Sequence, residues 1–293
     1  MIYVSTACVR TPSIRESVAM LVAEGYHNIE LSGGTETYPE LVSELLELQE
    51  KHNLRYLCHN YFPPPSEHFV LNLAAQAPQL YRQSTELALA ALVLSEKLGA
   101  KKYAVHAGFL MNFRASELGK PISRHELNDE QACLQTFRRG WEWLQEHRGL
   151  VEVYIENNVL SIRNAATYAK KNPLLFTHLQ EWELLKGALD MRPLVDVAHL
   201  KVSVNSHNAQ YGRQLSFEKE LEALLPLTDY VHVSDNDGRF DQGKAIYTNS
   251  ELVGQLGNHD FTGKVLTIEV SESLEAIRTS FETIQNLPGV AVD

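Results

Sequence analysis

Seven apolar stretches along the chain each close on an acid or an imidazole: Glu30, His59, His106, Glu156, Asp196 with His199, His232 and Glu269. Four contexts stand out: Val151-Glu152-Val153-Tyr154-Ile155-Glu156-Asn157, Leu194-Val195-Asp196-Val197-Ala198-His199, Tyr230-Val231-His232-Val233-Ser234-Asp235 and Leu266-Thr267-Ile268-Glu269-Val270. A carboxylate at the buried end of an apolar run is costly unless it gains a partner. Glu156, Asp196, Glu269 and His232 brought to one place would set three negative charges against one another, and a divalent cation removes that conflict. These four are therefore candidate metal ligands. Oxygen-dominated ligation with a single imidazole suits Mn²⁺, Mg²⁺ or Co²⁺ and also admits Zn²⁺. A single strand-end histidine, such as His59 or His106, is explained by an ordinary hydrogen bond, and one carboxylate by an Arg or Lys partner. Four such residues in succession are not.

For these side chains to meet, the elements carrying them must run side by side. Apolar, β-rich runs occupy residues 2–7, 28–31, 55–58, 102–106, 151–155, 194–197, 230–233 and 265–270. Amphipathic stretches long enough to cross back over a sheet lie at 13–24, 39–52, 79–98, 130–146, 179–188 and 217–225. The alternation indicates βα units and a parallel sheet. Eight such units with right-handed crossovers close most economically into a (β/α)8 barrel. An open doubly wound sheet would bind a nucleotide through a glycine-rich first βα turn, whereas the first run here leads into Cys8-Val9-Arg10-Thr11-Pro12. No linker or charge run marks a boundary, and Pro63-Pro64-Pro65 reads as a rigid loop, so residues 1–293 are expected to form one domain. Polar groups in such a barrel collect where the strands open into loops at the C-terminal face. From His106 onward the strand-end residues follow one another at 36 to 50 residues, about one βα unit each, and should converge on that rim.

Composition narrows the function classes. With 293 residues, 44% hydrophobic and 22% charged, the chain can bury a large core, which excludes disordered, collagen-like and disulfide-stapled proteins. Its 26 basic and 37 acidic side chains leave a net charge of −11, which on average repels nucleic acid and anionic lipid. Cys8, Cys58 and Cys133 are the three cysteines, with no C-x-x-C pair, which fits a reducing compartment and argues against a thiolate zinc site. The start Met1-Ile2-Tyr3-Val4 lacks a basic leader region, and no apolar run approaches the length of a membrane span. A complete, cytoplasmic chain with no membrane partner is the expectation.

With these residues in hand, the chain resembles the xylose isomerase-like TIM-barrel superfamily, which includes sugar isomerases and epimerases and the endonuclease IV family. The likeness is sharpest at Ile155-Glu156-Asn157, Val195-Asp196-Val197-Ala198-His199, Val231-His232-Val233-Ser234-Asp235-Asn236-Asp237 and Thr267-Ile268-Glu269. In ketose 3-epimerases and related isomerases, the residues matching Glu156, Asp196, His232 and Glu269 hold one divalent metal, and the one matching His199 binds substrate. The resemblance implies a small carbohydrate substrate whose carbonyl-adjacent proton is removed by one of Glu156 and Glu269 and returned by the other, through a metal-stabilised enediolate. His199 would hydrogen-bond the oxyanion. His59, His106, Glu30, Arg239 and Lys201 are candidates to contact the substrate, with Glu30 equally readable as a salt-bridge partner. Ketose 3-epimerases carry an Arg six residues after the metal-binding His; here that position is Gly238, followed by Arg239.

A second likeness, to endonuclease IV, covers the first half better: Cys58-His59-Asn60-Tyr61, Leu71-Asn72-Leu73-Ala74-Ala75 and Val105-His106-Ala107-Gly108. It implies a second metal at His59 and His106, bridged by Glu156, and a zinc-dependent phosphodiesterase or apurinic endonuclease as the alternative activity. The Asp-x-His pair of that family's third zinc site is missing from residues 235–242. A non-catalytic metal- or ligand-binding barrel is the third reading, and self-association as a homo-oligomer is left open.

Overall fold

Eight parallel strands hydrogen-bond in chain order until the last pairs with the first, closing a barrel. The computed structural model describes residues 1–169 and 171–291. The strands are β1 (Ile2–Ser5), β2 (Asn28–Leu31), β3 (Arg55–His59), β4 (Lys102–His106), β5 (Glu152–Glu156), β6 (Pro193–Asp196), β7 (Tyr230–Val233) and β8 (Val265–Ile268). Around them lie the helices α1 (Ile14–Ala23), α2 (Leu41–His52), α3 (Pro78–Leu98), α4 (Glu130–His147) and α5 (Ile162–Thr167). The ring is completed by α6 (Leu179–Lys186), α7 (Val197–Tyr211), α8 (Phe217–Leu224), α9 (Glu251–Leu256) and α10 (Leu274–Ile284). The expected (β/α)8 barrel is the observed fold. Among the described residues no helix is long and apolar enough to cross a membrane.

The strands are largely buried on both faces, one toward the helices and one toward the barrel axis, which is why they read as apolar runs. Tyr3, Leu57, Ala104, Tyr154, Leu194 and Tyr230 form an apolar cluster of their own within the barrel, separate from the main core. At its base Lys102 sits against Asp229 at 2.8 Å and Glu152 at 3.2 Å, closing the N-terminal end with a paired charge. The upper end is polar, and register decides which polar residues become neighbours. His106 pairs directly with Glu156 across β4 and β5, and Asp196 with His232 across β6 and β7. Paired residues on parallel strands project to the same face, so each couple is presented side by side.

Helix boundaries follow from local chemistry. Ser161, Ser216, Ser250 and Ser273 each accept a backbone N–H at a helix start, and Asp129 does the same for α4. Three strand ends expected from the sequence need correction here, the first being that β8 stops at Ile268 rather than at Val270. Val197 is not the end of a strand: β6 stops at Asp196, whose carboxylate accepts the N–H of His199 at 2.7 Å and starts α7 at once. Likewise β1 ends at Ser5, with a short 3-10 turn over Thr6–Cys8 where the apolar run seemed to continue. α7 escaped the amphipathic reading because it is buried nearly all round, with Val202, Val204, Ser203 and Ser206 inside, so no polar stripe marks its period.

One side chain ties the exit of β4 to the rest of the rim. Asn72 Oδ1 accepts the N–H groups of Ala74 and Phe109 at 3.0 Å each, while its amide nitrogen donates to the carbonyls of Phe109 and Met111. Gly108 lies at φ +89, and a Cβ there would press on Asn72 Oδ1 at 2.8 Å, so the segment after His106 accepts only glycine. Replacing Asn72 by Ala strands two buried N–H groups and is expected to lower the unfolding free energy by about 2–4 kcal/mol. Urea denaturation measures this directly, and a change within about 0.5 kcal/mol would show that the loop is held by other means.

Candidate metal centre and active site

Glu156 stands at the centre of the rim with 1% of its surface exposed. Its Oε2 accepts His59 Nε2 at 2.7 Å and faces His106 Nδ1 at 3.2 Å, while Oε1 lies 3.5 Å from His199 Nδ1 and 3.7 Å from His232 Nδ1. Four imidazoles from β3, β4, α7 and β7 thus surround one carboxylate. Glu269, just past β8, approaches His232 Nδ1 at 3.4 Å. One donor atom each from Glu156, Asp196, His232 and Glu269 falls within 4.8 Å of the others, so the four ligands expected from the sequence are brought together. Two further groupings, His106 with Glu156 and His199, and His59 with Glu156 and His232, share the same central carboxylate.

The electrostatics follow from this crowding. Burial opposes ionisation of Glu156, but His106, His59 and His199 overcome it and hold the carboxyl well below its usual range. Burial likewise disfavours charge on Glu269, and His232 and His59 bring it down to about 2. Asp196 goes the other way: burial, together with the charges of Asp241, Glu156 and Glu269 and against the pull of His199, pushes it up to about 7. His106 is driven down to about 4 by burial and the neighbouring His199 and His59. His199 and His232 are held well above the ordinary histidine value, burial notwithstanding, by Asp196 and Asp241 in one case and Glu30 and Glu269 in the other.

A layer of supporting contacts fixes the rings. Glu30 is fully buried beneath the cluster, accepting hydrogen bonds from Tyr230 and, at 2.8 Å, from Thr267, with His232 Nε2 at 3.1 Å. Enclosed by these partners, Glu30 reaches no solvent and takes the place of an ion-pair partner, orienting His232 so that Nδ1 faces the other donors. Asn157 grips the backbone of Asp196 from both sides, at 2.7 and 3.0 Å, and its carbonyl accepts His199 Nδ1 at 2.9 Å. Lys201 is drawn away to Asp235 at 2.7 Å and the Asn236 carbonyl at 2.8 Å, which pins the loop after β7 rather than facing the rim. Arg239 is exposed on that loop, where Asp237 accepts its backbone N–H at 2.9 Å. Gly238 is buried at φ +75, a backbone conformation that strains any residue with a Cβ, and a Cβ there would also displace the Asn205 side chain.

Asp241 was missed from sequence. Its Oδ2 lies 3.4 Å from His199 Nε2, yet it sits in a loop with no apolar run to flag it. A cavity of about 780 Å³ opens over the rim, lined by His59, His106, Glu156, His199 and Glu269 together with Arg10, Tyr61 and Phe69. This is the size range of small-molecule sites. A smaller annex of about 230 Å³ runs from His106 and His199 past Asp241 and Phe240 to Phe109 and Phe113, whose rings meet edge-on at 4.9 Å.

The donor set fits a divalent cation. Glu156 Oε1, His59 Nδ1, His106 Nδ1 and His232 Nδ1 are buried without a hydrogen-bond partner, and a carboxylate oxygen and an imidazole nitrogen without partners are the atoms a cation would satisfy. The sequence model of the xylose isomerase-like TIM barrel matches residues 18–287. The chain belongs to that family. Among solved structures, a D-tagatose 3-epimerase-like protein superposes on this xylose isomerase-like barrel with a TM-score of 0.70 at 16% identity, over 98% of this chain and 96% of the other. Endonuclease IV from Thermus thermophilus gives 0.59 at 14%, over 97% and 98%. D-Psicose 3-epimerase, solved in the presence of D-fructose, gives 0.63 at 12%, over 99% of each chain. At these identities the likeness is one of fold. No curated protein matches the sequence.

Two outcomes follow for this xylose isomerase-like barrel. Glu30→Gln keeps Glu156, Asp196, His232 and Glu269 but loosens His232, and is expected to weaken metal affinity by about 10–100-fold; unchanged affinity in a zinc titration would remove Glu30 from the support of the site. Metal binding must also displace the proton that Asp196 holds below about pH 7, so affinity falls as pH drops. Between pH 8 and pH 6 calorimetry should show a loss of at least about tenfold, with proton release on binding. A flat profile would mean that Asp196 is not a ligand.

Proposed function

We propose that this barrel is a divalent-metal-dependent isomerase or epimerase of a sugar or sugar-like hydroxy-carbonyl compound. The observation that carries the reading is the convergence of Glu156 and Glu269 with Asp196 and His232 at the floor of a cavity that both glutamates line. Glu156, Asp196, His232 and Glu269 would hold the metal. When bound, the cation polarises a substrate carbonyl and acidifies the C–H beside it.

The remaining work belongs to the chain's own residues. Glu156 and Glu269 are both held ionised, as a general base requires, and they come from different barrel units; one would take the proton from the substrate carbon, and the other, after picking up a proton from solvent, would deliver it to the opposite face. His199 lines the cavity with Nδ1 tied to the Asn157 carbonyl, and its raised proton affinity makes it a charged donor for a developing oxyanion. His59 and His106 also face the cavity and are suited to bind substrate hydroxyls. Arg10 is an exposed cation at the cavity wall and would meet an anionic group on the substrate, in the place first given to Lys201 and Arg239.

A specific feature favours the second reading, a zinc phosphodiesterase: Glu156 is flanked by His59 and His106 as a bridging carboxylate between two metals would be. Against it stand the net charge of −11 and the absence of a histidine over residues 235–242.

Incubating metal-loaded protein with a panel of ketoses in deuterated water should show solvent exchange beside the carbonyl. Glu269→Gln and Glu156→Gln should each cut exchange by about 10²–10⁴-fold. His199→Ala should retain metal while losing about 10²–10³-fold in turnover. Nicking of abasic DNA with no exchange in any ketose would replace this reading by the nuclease one, and metal binding with neither activity would leave a binding protein.

A further inference from the structure

A second cluster of metal-type donors lies outside the barrel, between α6 and α7. His178 occupies the position just before α6 and makes no capping bond; Glu181 follows one turn later, and His207 faces them from α7. One donor atom from each of the three lies within 4.8 Å of the others. The two rings meet edge to face, with centroids 4.7 Å apart, and each is 2% exposed. Each ring also has a buried Nδ1 with no hydrogen-bond partner, although its Nε2 is accounted for: His207 against Thr177 Oγ1 at 2.8 Å, and His178 near Glu181 at 3.6 Å. Two unpartnered imidazole nitrogens packed together in the interior are costly as a purely structural arrangement.

The surroundings are those of a prepared site. Glu181 is held by Asn172 and by the backbone and hydroxyl of Thr177, which fixes its carboxylate. Thr177 donates its own proton to Glu181 at 2.6 Å and so must accept from His207 Nε2, which sets the tautomer and leaves the Nδ1 lone pair unused. Glu181 and His207 open on a cavity of about 440 Å³, which leaves room for water to complete coordination; Lys171 at its edge is paired with Glu130 at 3.1 Å.

We infer that His178, Glu181 and His207 form a second divalent-cation site, of zinc type, that cross-links the start of α6 to α7. Two imidazoles, one carboxylate and a water make a tetrahedral zinc set. α7 is capped by Asp196 and carries His199 in its first turn, so the clamp would steady the helix that positions the rim residues.

The test uses the full chain with the rim donors removed by Glu156→Gln and Glu269→Gln, one of which belongs to every candidate rim grouping, so that failure of the rim reading and of this one are distinguished. After incubation with ZnCl₂ and desalting, elemental analysis should find about one zinc per chain, and zinc should raise the melting temperature. Adding His207→Gln or Glu181→Gln should abolish both effects, and Co²⁺ substitution should give a tetrahedral visible spectrum that the same changes remove. No retained zinc in the rim-disabled protein, or zinc that survives both substitutions, overturns the proposal. Should His207→Gln fail to fold, Glu181→Gln, at a part-exposed position, supplies the same reading.

Discussion

The structure turns on one desolvated carboxylate. Glu156 is closed off from water at the top of β5 and stays ionised because four imidazoles converge on it. Taken alone, a buried carboxylate would be among the most costly groups in the protein, and leaving it unpaired would favour protonation. Each histidine that answers it comes from a different barrel unit, so this one interaction requires β3, β4, β7 and the start of α7 to be in register with β5. Closure of the barrel and assembly of the site are in this sense the same event.

Asp196 shows how economically the rim is built. Its carboxylate starts α7 by accepting the N–H of His199, and the same side chain falls within the four-donor group. The abrupt strand-to-helix turn that follows places His199 three residues on, one helical turn into the cavity wall, while Asn157 locks the backbone of Asp196 to β5. A helix start, a ligand and a neighbouring proton donor are thereby set by one short stretch. Beneath them Glu30 does for His232 what Asn157 does for His199, fixing which nitrogen faces the centre.

Charge is distributed by depth. The base of the barrel carries a compensated plug, Lys102 with Asp229 and Glu152, and the middle is apolar and aromatic. The top gathers carboxylates and histidines in comparable number, with Arg10 at the cavity wall and the aromatic annex beside His106 and His199. A low-dielectric layer under a polar rim strengthens every electrostatic interaction above it. That is the setting in which small differences in position send Asp196 and Glu269 in opposite directions although both belong to one cluster.

The sequence by itself determined the alternation of strands and helices, the closure into eight units and the identity of the converging donors Glu156, Asp196, His232 and Glu269. These were legible because each rests on a local rule: an apolar run needs a sheet, and a charge ending such a run needs partners nearby. Tertiary structure alone decided the rest. That Glu30 supports a ring from below, that Lys201 turns to Asp235, that Asp241 meets His199 across a loop, and that His178, Glu181 and His207 share a pocket between two helices all depend on which elements pack together. Val197 was misread for the same reason, because a β-branched residue after a strand follows propensity until a capping carboxylate and a buried helix face overrule it. Local patterns record what a segment must bury; only the closed barrel specifies what it is buried against.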